Sequence, residues 1–552
     1  MFLFGSGLVM AEQIEPVTNE QAAQSWQQTG AQTPGLAQQD DGSTRVDWQG
    51  SVAADAYTNK ITTANGSTNT PLQSGTFYKG VVQGDLRGIN PAGTVNYLQF
   101  GMTHSNDRSV LSLYPNQINN IQLGRTGQGY SMAAGDIAPN FSSLSSALGA
   151  RGITGQKQLG DTATIYGYGG VAAESWEALD NTVLRNQFIR DVYGLKLEKS
   201  FTPSLKVYAT GQAGADQAGS ITNPLVSSFA LAAKLHASSI GFQYAENQFQ
   251  LAGETANSGY QQETQAGRSG RGSILDAGWR GQTVGLRAGY HDIDSGFMSL
   301  STMVMAGIKE AYSAIDWTAA SWLTLGADLR NSKNTTLATI YTPSQTSNTD
   351  SSAVRANINF GPDLPGWGVS LQKNDSKTLD ALSNISRNEQ NSTTLNYASQ
   401  NWTTMLGYGL GKTRNSAYSV MDSDTTSWQY MLGRSFSDAA MANWSANVSL
   451  NTTLQNQQLL SGTSTRNVNY LLTFTGQRTG WGNLNLILAN GLISRPTGQP
   501  DLKLRSAQLE AVHPLTPRSN AKIYVRDSRS NIGDPLLGLD ERVAGAQYTC
   551  NF

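Results

Sequence analysis

The stretch WSANVSLN, Trp444 to Asn451, puts Trp444, Ala446, Val448 and Leu450 on one parity and Ser445, Asn447, Ser449 and Asn451 on the other. Slightly further on, Val468, Tyr470, Leu472 and Phe474 alternate with Asn467, Asn469, Leu471, Thr473 and Thr475. Successive side chains of a strand point to opposite faces, so each stretch is a strand with one apolar and one mainly polar face. The same period recurs at Leu484, Leu486 and Leu488, and at Val284, Leu286, Ala288 and Tyr290. It is present again at Phe229, Leu231, Ala233, Leu235 and Ala237.

Two architectures use such strands. A soluble sandwich or β-helix turns its apolar faces inward, and a transmembrane barrel turns them toward lipid. Strand length separates the two. Crossing an outer membrane at a tilt takes about 9 to 12 residues, whereas sandwich strands are nearer 5 or 6. Segments 441–455, 464–476 and 502–512 have the longer length. No rung of fixed length recurs, which argues against a β-helix. About fifteen candidate strands between Arg271 and Phe552, and about eleven in 44–266, predict an all-β fold. The expected architecture is a single large antiparallel transmembrane β-barrel of about 26 strands, within a range of roughly 22 to 28. At that size the cylinder is about 50 Å across. Side chains cannot fill it, so water and a solute, an inserted segment or a partner protein must.

Composition agrees. Of 552 residues, 38 are Lys or Arg and 40 are Asp or Glu, a charged fraction of 14%. About 25% is usual for soluble domains. Net charge of -2 gives no reason to expect nucleic acid as a partner. Eleven Trp, 21 Tyr and 15 Phe spread along the chain argue against disorder. A single cysteine, Cys550, excludes an intramolecular disulfide.

The amino terminus offers two readings. Phe2 to Met10 is a short apolar run followed by Ala11, Glu12 and Gln13, which reads as a signal peptide lacking its positive n-region, cleaved after Ala11. The alternative is an ordinary disordered end. The resulting division is a signal peptide at 1–11, a flexible periplasmic extension at 12–43, and the barrel at 44–552. The Phe2 to Met10 run is far too short to span a bilayer as a helix, and no other apolar stretch is long enough either.

The final residues are the most specific local signal. Ala544, Ala546, Tyr548, Cys550 and Phe552 share one face, opposite Gly545, Gln547, Thr549 and Asn551, and the chain stops on an aromatic ring. In this the sequence resembles bacterial outer-membrane β-barrel proteins, whose last strand commonly ends in Phe or Trp. The resemblance implies a location in the cell outer membrane, contact with its lipid and lipopolysaccharide, and recognition of Tyr548 and Phe552 by the barrel-assembly machinery. Trp322, Trp402, Trp444 and Trp481, each at or near a strand start, fit an interfacial belt. Turn-prone pairs occur at Asp41-Gly42, Asn65-Gly66 and Asn490-Gly491, and Asn90-Pro91-Ala92-Gly93 reads as a turn between strands.

Rhythm fails between 129 and 160. Phe141, Leu144 and Leu148 have helical spacing, and Arg151 follows. The segment reads as an inward-folded constriction, an exterior loop or a bend.

Nothing in the chain spells catalysis. His104, His236, His291 and His513 have no second His or Cys at metal-ligand spacing, and no GxSxG elbow is present. The chain is expected not to be an enzyme and to hold no cofactor or metal. Lys503 and Arg505 share a face, as do Lys522, Tyr524 and Arg526. With the apolar face in lipid, these cations are expected to point into the lumen beside Asn447 and Asn469, as a patch favouring an anionic solute or polymer. Pairing with acids such as Glu510 and Asp527 would cancel that field. The function expected is a conduit for export or diffusion of a bulky polar solute, polymer or polypeptide. The alternative is a scaffold enclosing or anchoring a periplasmic or lumenal protein partner.

Overall fold

The computed structural model describes residues 44–552 except 64–72, 109–114, 146–148, 181–184, 228–229, 264–266, 301–305, 338–342, 362–363, 419–421, 439–443, 461, 496–500 and 532–537. The expected leader, the 12–43 extension, the Asp41-Gly42 and Asn65-Gly66 pairs and Leu148 lie outside the described residues.

Twenty-six strands follow one another in chain order. They begin with β1 (Arg45–Thr63), β2 (Gly75–Ile89), β3 (Val95–Ser105), β4 (Asn116–Gly127), β5 (Tyr130–Ile137), β6 (Ala150–Leu159) and β7 (Ala163–Ala172). Next come β8 (Arg190–Ser200), β9 (Leu205–Asp216), β10 (Ala233–Glu246), β11 (Phe249–Gln262), β12 (Arg268–Arg280) and β13 (Val284–Ile293). The third group is β14 (Ile308–Ala320), β15 (Leu323–Thr335), β16 (Thr346–Asn359), β17 (Trp367–Leu379), β18 (Ile385–Ala398) and β19 (Trp402–Asn415). The series ends with β20 (Ser423–Asp438), β21 (Trp444–Leu459), β22 (Ser464–Arg478), β23 (Gly482–Ser494), β24 (Leu502–Thr516), β25 (Ser519–Ser530) and β26 (Leu539–Asn551).

Each strand pairs antiparallel with the next, and β26 returns to β1 from Ser51 opposite Asn551 to Thr63 opposite Leu539. The sheet is a closed barrel with no free edge. Closure is tight at the carboxyl end. Gly50 and Phe552 exchange backbone hydrogen bonds of 2.9 and 3.0 Å. The Phe552 ring stacks on Trp48 at 5.4 Å with 14° between planes. Gly50 makes room, because a Cβ there would lie 2.8 Å from that ring and 2.6 Å from the Gln83 carbonyl.

The two ends differ. One carries tight turns such as Asn247-Gln248, with Asn247 at φ 52°, and Asn90–Thr94. In the latter Gly93 takes φ 74° and the Asn90 side chain accepts the Thr94 N–H at 2.8 Å, as the Asn-Pro-Ala-Gly sequence predicts. The other end carries longer connections, including 173–189 with the short helix α1 (Glu177–Asp180) and 217–232 with α2 (Pro224–Ser227). Asn490-Gly491 is not a turn but lies inside β23. Alternation runs through it, and Gly491 sits opposite Asn469, whose amide oxygen would be 2.7 Å from any Cβ there.

Side-chain bridges identify the concave face. Tyr524 of β25 reaches Asp55 of β1 across β26, at 3.0 Å. Tyr312 of β14 reaches Asp276 of β12 at 2.7 Å, and Arg355 of β16 reaches Asp316 of β14. Strands two apart are separated by about 10 Å, which side chains close only where they converge, on the inside. The opposite parity carries the exposed apolar residues, among them Ile153, Leu195, Ile240, Leu275, Leu406, Tyr470, Ile523 and Val525. The apolar face is therefore outside and the polar face lines the lumen, except at the start of β10, where Ala233, Leu235 and Ala237 face inward against the packed interior; Phe229 of that run lies outside the described residues.

The outer face has a gradient along its height. Near the short turns it carries Trp48, Trp279, Trp317, Trp367 and Trp402, with Trp322 and Trp481 in the turns themselves. Near the long connections the same outer face turns ionic, with Lys373, Asp375, Lys377, Arg387, Lys412 and Arg414. Geometry explains the change. The 13 residues of β17 rise about 33 Å at a tilt near 40°, more than an apolar band of about 25 Å needs.

We expect Gly50→Val to overpack the seam at a cost of about 1–3 kcal/mol. Heat-modifiable migration in detergent gels should show it unfolding at a lower temperature than the wild type. An unchanged transition would show that the Gly50–Phe552 contact does not hold the seam.

Candidate functional site: the lumen

Residues 129–160 do not form one inserted segment. β5 and β6 take most of the stretch into the wall, because Tyr130–Ile137 and Ala150–Leu159 pair with each other from Tyr130 opposite Lys157 to Ile137 opposite Ala150. Only 138–149 leaves the sheet, and its described part, 138–145 and 149, is non-helical despite the spacing of Phe141 and Leu144.

That connection folds inward. Phe141 meets Tyr168 of β7 edge-on at 5.2 Å and joins Ile137, Val192, Leu235 and Leu300 in one buried cluster. Leu144 joins Ala256, Ile293 and Phe297 in another. Phe297 and Leu300 come from the β13–β14 connection, so two loops from the long-connection end meet on the inner wall of β7–β12. The wall is shaped for them. Gly194 and Gly272 leave space that a Cβ would fill, at 3.0 Å from Phe141 and 3.3 Å from Leu144.

An acid fixes the first loop. Glu254 of β11, only 5% exposed, accepts hydrogen bonds from the Ser142 hydroxyl, from the Leu144 N–H at 3.2 Å and from the Tyr208 hydroxyl at 3.2 Å. Gln212 donates to the Ser145 carbonyl at 2.6 Å, and the Ser145 and Thr210 hydroxyls are 3.0 Å apart. Both carboxylate oxygens thus have donors, the condition under which a buried charge is tolerated. Arg151 does not share this site. It lies on the strand face opposite Ala150, pairs with Asp136 at 3.4 Å and donates to the Ala173 carbonyl.

Near the seam, Lys522, Tyr524 and Arg526 are on the inner parity, opposite Ile523 and Val525. Each has an acidic partner. Lys522 is 3.6 Å from Glu510, Tyr524 donates to Asp55, and Arg526 donates to Glu541 at 2.8 Å. Lys503 and Arg505 correct the expectation made of them. Arg505 pairs across from Arg529, on the parity of Leu509 and Val525, so both cations are outside. They occupy the ionic upper part of the outer face, where alternation still holds but lipid no longer selects against charge. Asp527 is on that side too, 3.4 Å from Arg529 and 3.5 Å from Arg542. Among the described residues, no net cationic patch forms on the inner wall at the seam.

Asn447 and Asn469 sit on the inner parity of β21 and β22. Asn447 donates to the Ser435 hydroxyl at 3.2 Å, and Asn469 donates to the Asn467 amide oxygen at 3.1 Å. Tyr548 faces outward, with Phe552 at the same rim. Further inner charges escaped sequence reasoning. Arg355 pairs with Asp316 and, at 2.7 Å, with Asp328, while Arg287 is 3.4 Å from Asp316. Arg330 is 3.6 Å from Glu310. A signal was available for Arg287, Asp316, Asp328 and Arg355, which stand beside outward apolar neighbours such as Leu286, Ile315, Leu329 and Val354.

The fold is a single closed antiparallel β-barrel of 26 strands. No family model and no curated protein matches the chain. Among solved structures, it is similar to the translocation pore of the P pilus usher PapC, at 10% identity and a TM-score of 0.34, covering 91% of this chain and 99% of that one. It is also similar to the copper transporter OprC (12% identity, TM-score 0.41, 94% and 81% covered). A third is the siderophore receptor PirA from Pseudomonas aeruginosa (10%, 0.37, 92% and 80%). At these values the geometry of this chain, not the likeness, carries the functional reading.

Replacing Glu254 by Ala strands the Leu144 N–H and removes one partner of the Ser142 hydroxyl, at a cost of about 1–3 kcal/mol to loop closure. In a Cys550→Ser, Ser145→Cys background, we expect maleimide labelling of position 145 to quicken about tenfold or more. Equal labelling rates would remove Glu254 from its anchoring role.

Proposed function

We propose that the protein is a conduit across the bacterial outer membrane for a bulky polar solute or polymer. One observation carries the reading: a closed 26-strand wall about 50 Å across, with a lipid-compatible outside, encloses a polar lumen. The two inward loops cover one sector of it. Paired inner charges leave little fixed field to hold or reject ions, which suits passage of cargo without strong charge selection.

The outward features fit the same location. The Trp rim is the interfacial belt of one leaflet, and the outward cations near the long connections would meet lipopolysaccharide phosphates. Tyr548 and Phe552 are the proposed recognition strand for barrel assembly. The chain acts without catalysis on this reading, and gradient or partner supplies the drive.

Planar-bilayer recording of the folded protein tests it. We expect large, long-lived conductance steps with a reversal potential close to that set by free-solution ion mobilities. Silence from folded, heat-modifiable protein would overturn the conduit and leave a scaffold whose lumen is occupied. Strong anion preference would contradict the charge pairing at the seam.

A further inference from the structure

The inner wall is chemically divided. From Arg355 on β16 to Glu510 on β24, the intervening strands β17–β23 present no ionisable side chain to the lumen among the described residues. Their inward residues are Ser, Thr, Asn, Gln and Gly with a few aliphatics, exemplified by Gln372, Thr394, Gln429, Asn447 and Asn469. These strands are not poor in charge. Lys373, Asp375, Arg387, Glu389, Lys412 and Asp424 all stand on the outer parity. Water inside the barrel would solvate charges cheaply, so their exclusion from this face is not explained by burial.

No aromatic side chain faces inward from the described residues of these seven strands either. Tyr397, Tyr408, Trp428, Tyr430, Tyr470 and Phe474 are all outward. The sector therefore offers neither counter-charges nor stacking platforms, and its polar side chains are ones that both donate and accept hydrogen bonds. It looks across the lumen at the loop-covered wall of β7–β12, from which it is separated by β13–β16 on one side and by the seam sector on the other.

We propose that the inner face of β17–β23 is the contact surface for a neutral glycan chain moving through the barrel, an inference that rests on the conduit reading. Each glycan hydroxyl both donates and accepts, matching Ser, Thr, Asn and Gln one for one. A polypeptide of ordinary composition has about a quarter of its residues charged and would gain nothing from a wall without counter-charges. Lack of aromatic stacking keeps each contact weak, so the chain is held loosely enough to leave, the condition for conduction.

The test uses the full-length barrel in planar bilayers and, separately, in detergent. Short neutral dextran oligomers, dextran sulfate and lysine oligomers of similar length are the probes. We expect dextran to interrupt the current with dwell times insensitive to salt, and both charged probes to act more weakly. In the variant Gln429→Glu, Asn447→Asp, Asn469→Asp, dextran dwell should shorten. Lysine oligomers should gain about tenfold at low salt, because three exposed ion pairs act together. Heat-modifiable migration checks that the variant folds, and Asn469→Asp alone serves if it does not. Stronger block by either charged probe on the wild type, or dextran dwell unaltered by the variant, would overturn the proposal. Fluorescent dextran binding in detergent separates the two readings. Binding without conductance keeps this face and removes the conduit, whereas conductance without any dextran effect does the reverse.

Discussion

Hydrocarbon cannot hydrogen-bond a peptide group, so every N–H and C=O of a membrane-crossing strand must find its partner within the protein. In this chain that condition is met by one continuous antiparallel ladder that ends where it starts, on β1 and β26. Closure fixes everything else about the fold. It makes an inside and an outside from strands that individually have only two faces. It sets the width through the number of strands, and it leaves a lumen that the wall's own side chains cannot fill. The last residue takes part directly, since Phe552 completes the ladder at Gly50 while its ring covers the glycine.

Alternation made the faces legible in sequence, and the total of 26 strands followed from their length and number. Val468, Tyr470 and Phe474 read as outward from the two-residue period alone, because lipid accepts only one parity there. Depth was not legible. Lys503 and Arg505 follow the same alternation as Leu509, yet lie above the apolar band, where the outer face meets water and polar headgroups. Period-two patterning gives the face relative to its neighbours; it does not say where the membrane stops. The Asn490-Gly491 pair misleads for a related reason. Turn propensity is a local permission, and the outward Leu488 and Leu492 on either side carry the strand straight through it.

The inward loops were harder to see because their contacts are distant. Glu254 holds Ser142 and Leu144, more than a hundred residues upstream, and no window of sequence spans that. A faint signal did exist. The inner parity of β10–β12 carries many small residues, Ala233, Ala237, Ser239, Ala256, Ser258, Gly270 and Gly272 among them, and Glu254 stands in their midst. A lumen wall facing only water has no need of small residues. One that receives Phe141, Leu144 and Phe297 does, since packed interiors leave no room for both.

Charge completes the division of the interior. Where the inner wall carries acids and bases, as at Arg287, Asp316, Asp328 and Arg355 or at Glu510 and Lys522, they neutralise each other at contact distance. Where they are absent, on β17–β23, the same strands place their charges outside. A wall evolved for ion selection would concentrate one sign at a narrow point, because the field of an unpaired charge in a wide aqueous lumen is screened within about 10 Å at 0.1 M salt. On the conduit reading, paired charges flanking an uncharged sector of amides and hydroxyls, with the loop-covered wall across from it, leave steric fit and hydrogen bonding as the means of discrimination. In a lumen of this width, those means would act only on something large enough to touch the wall.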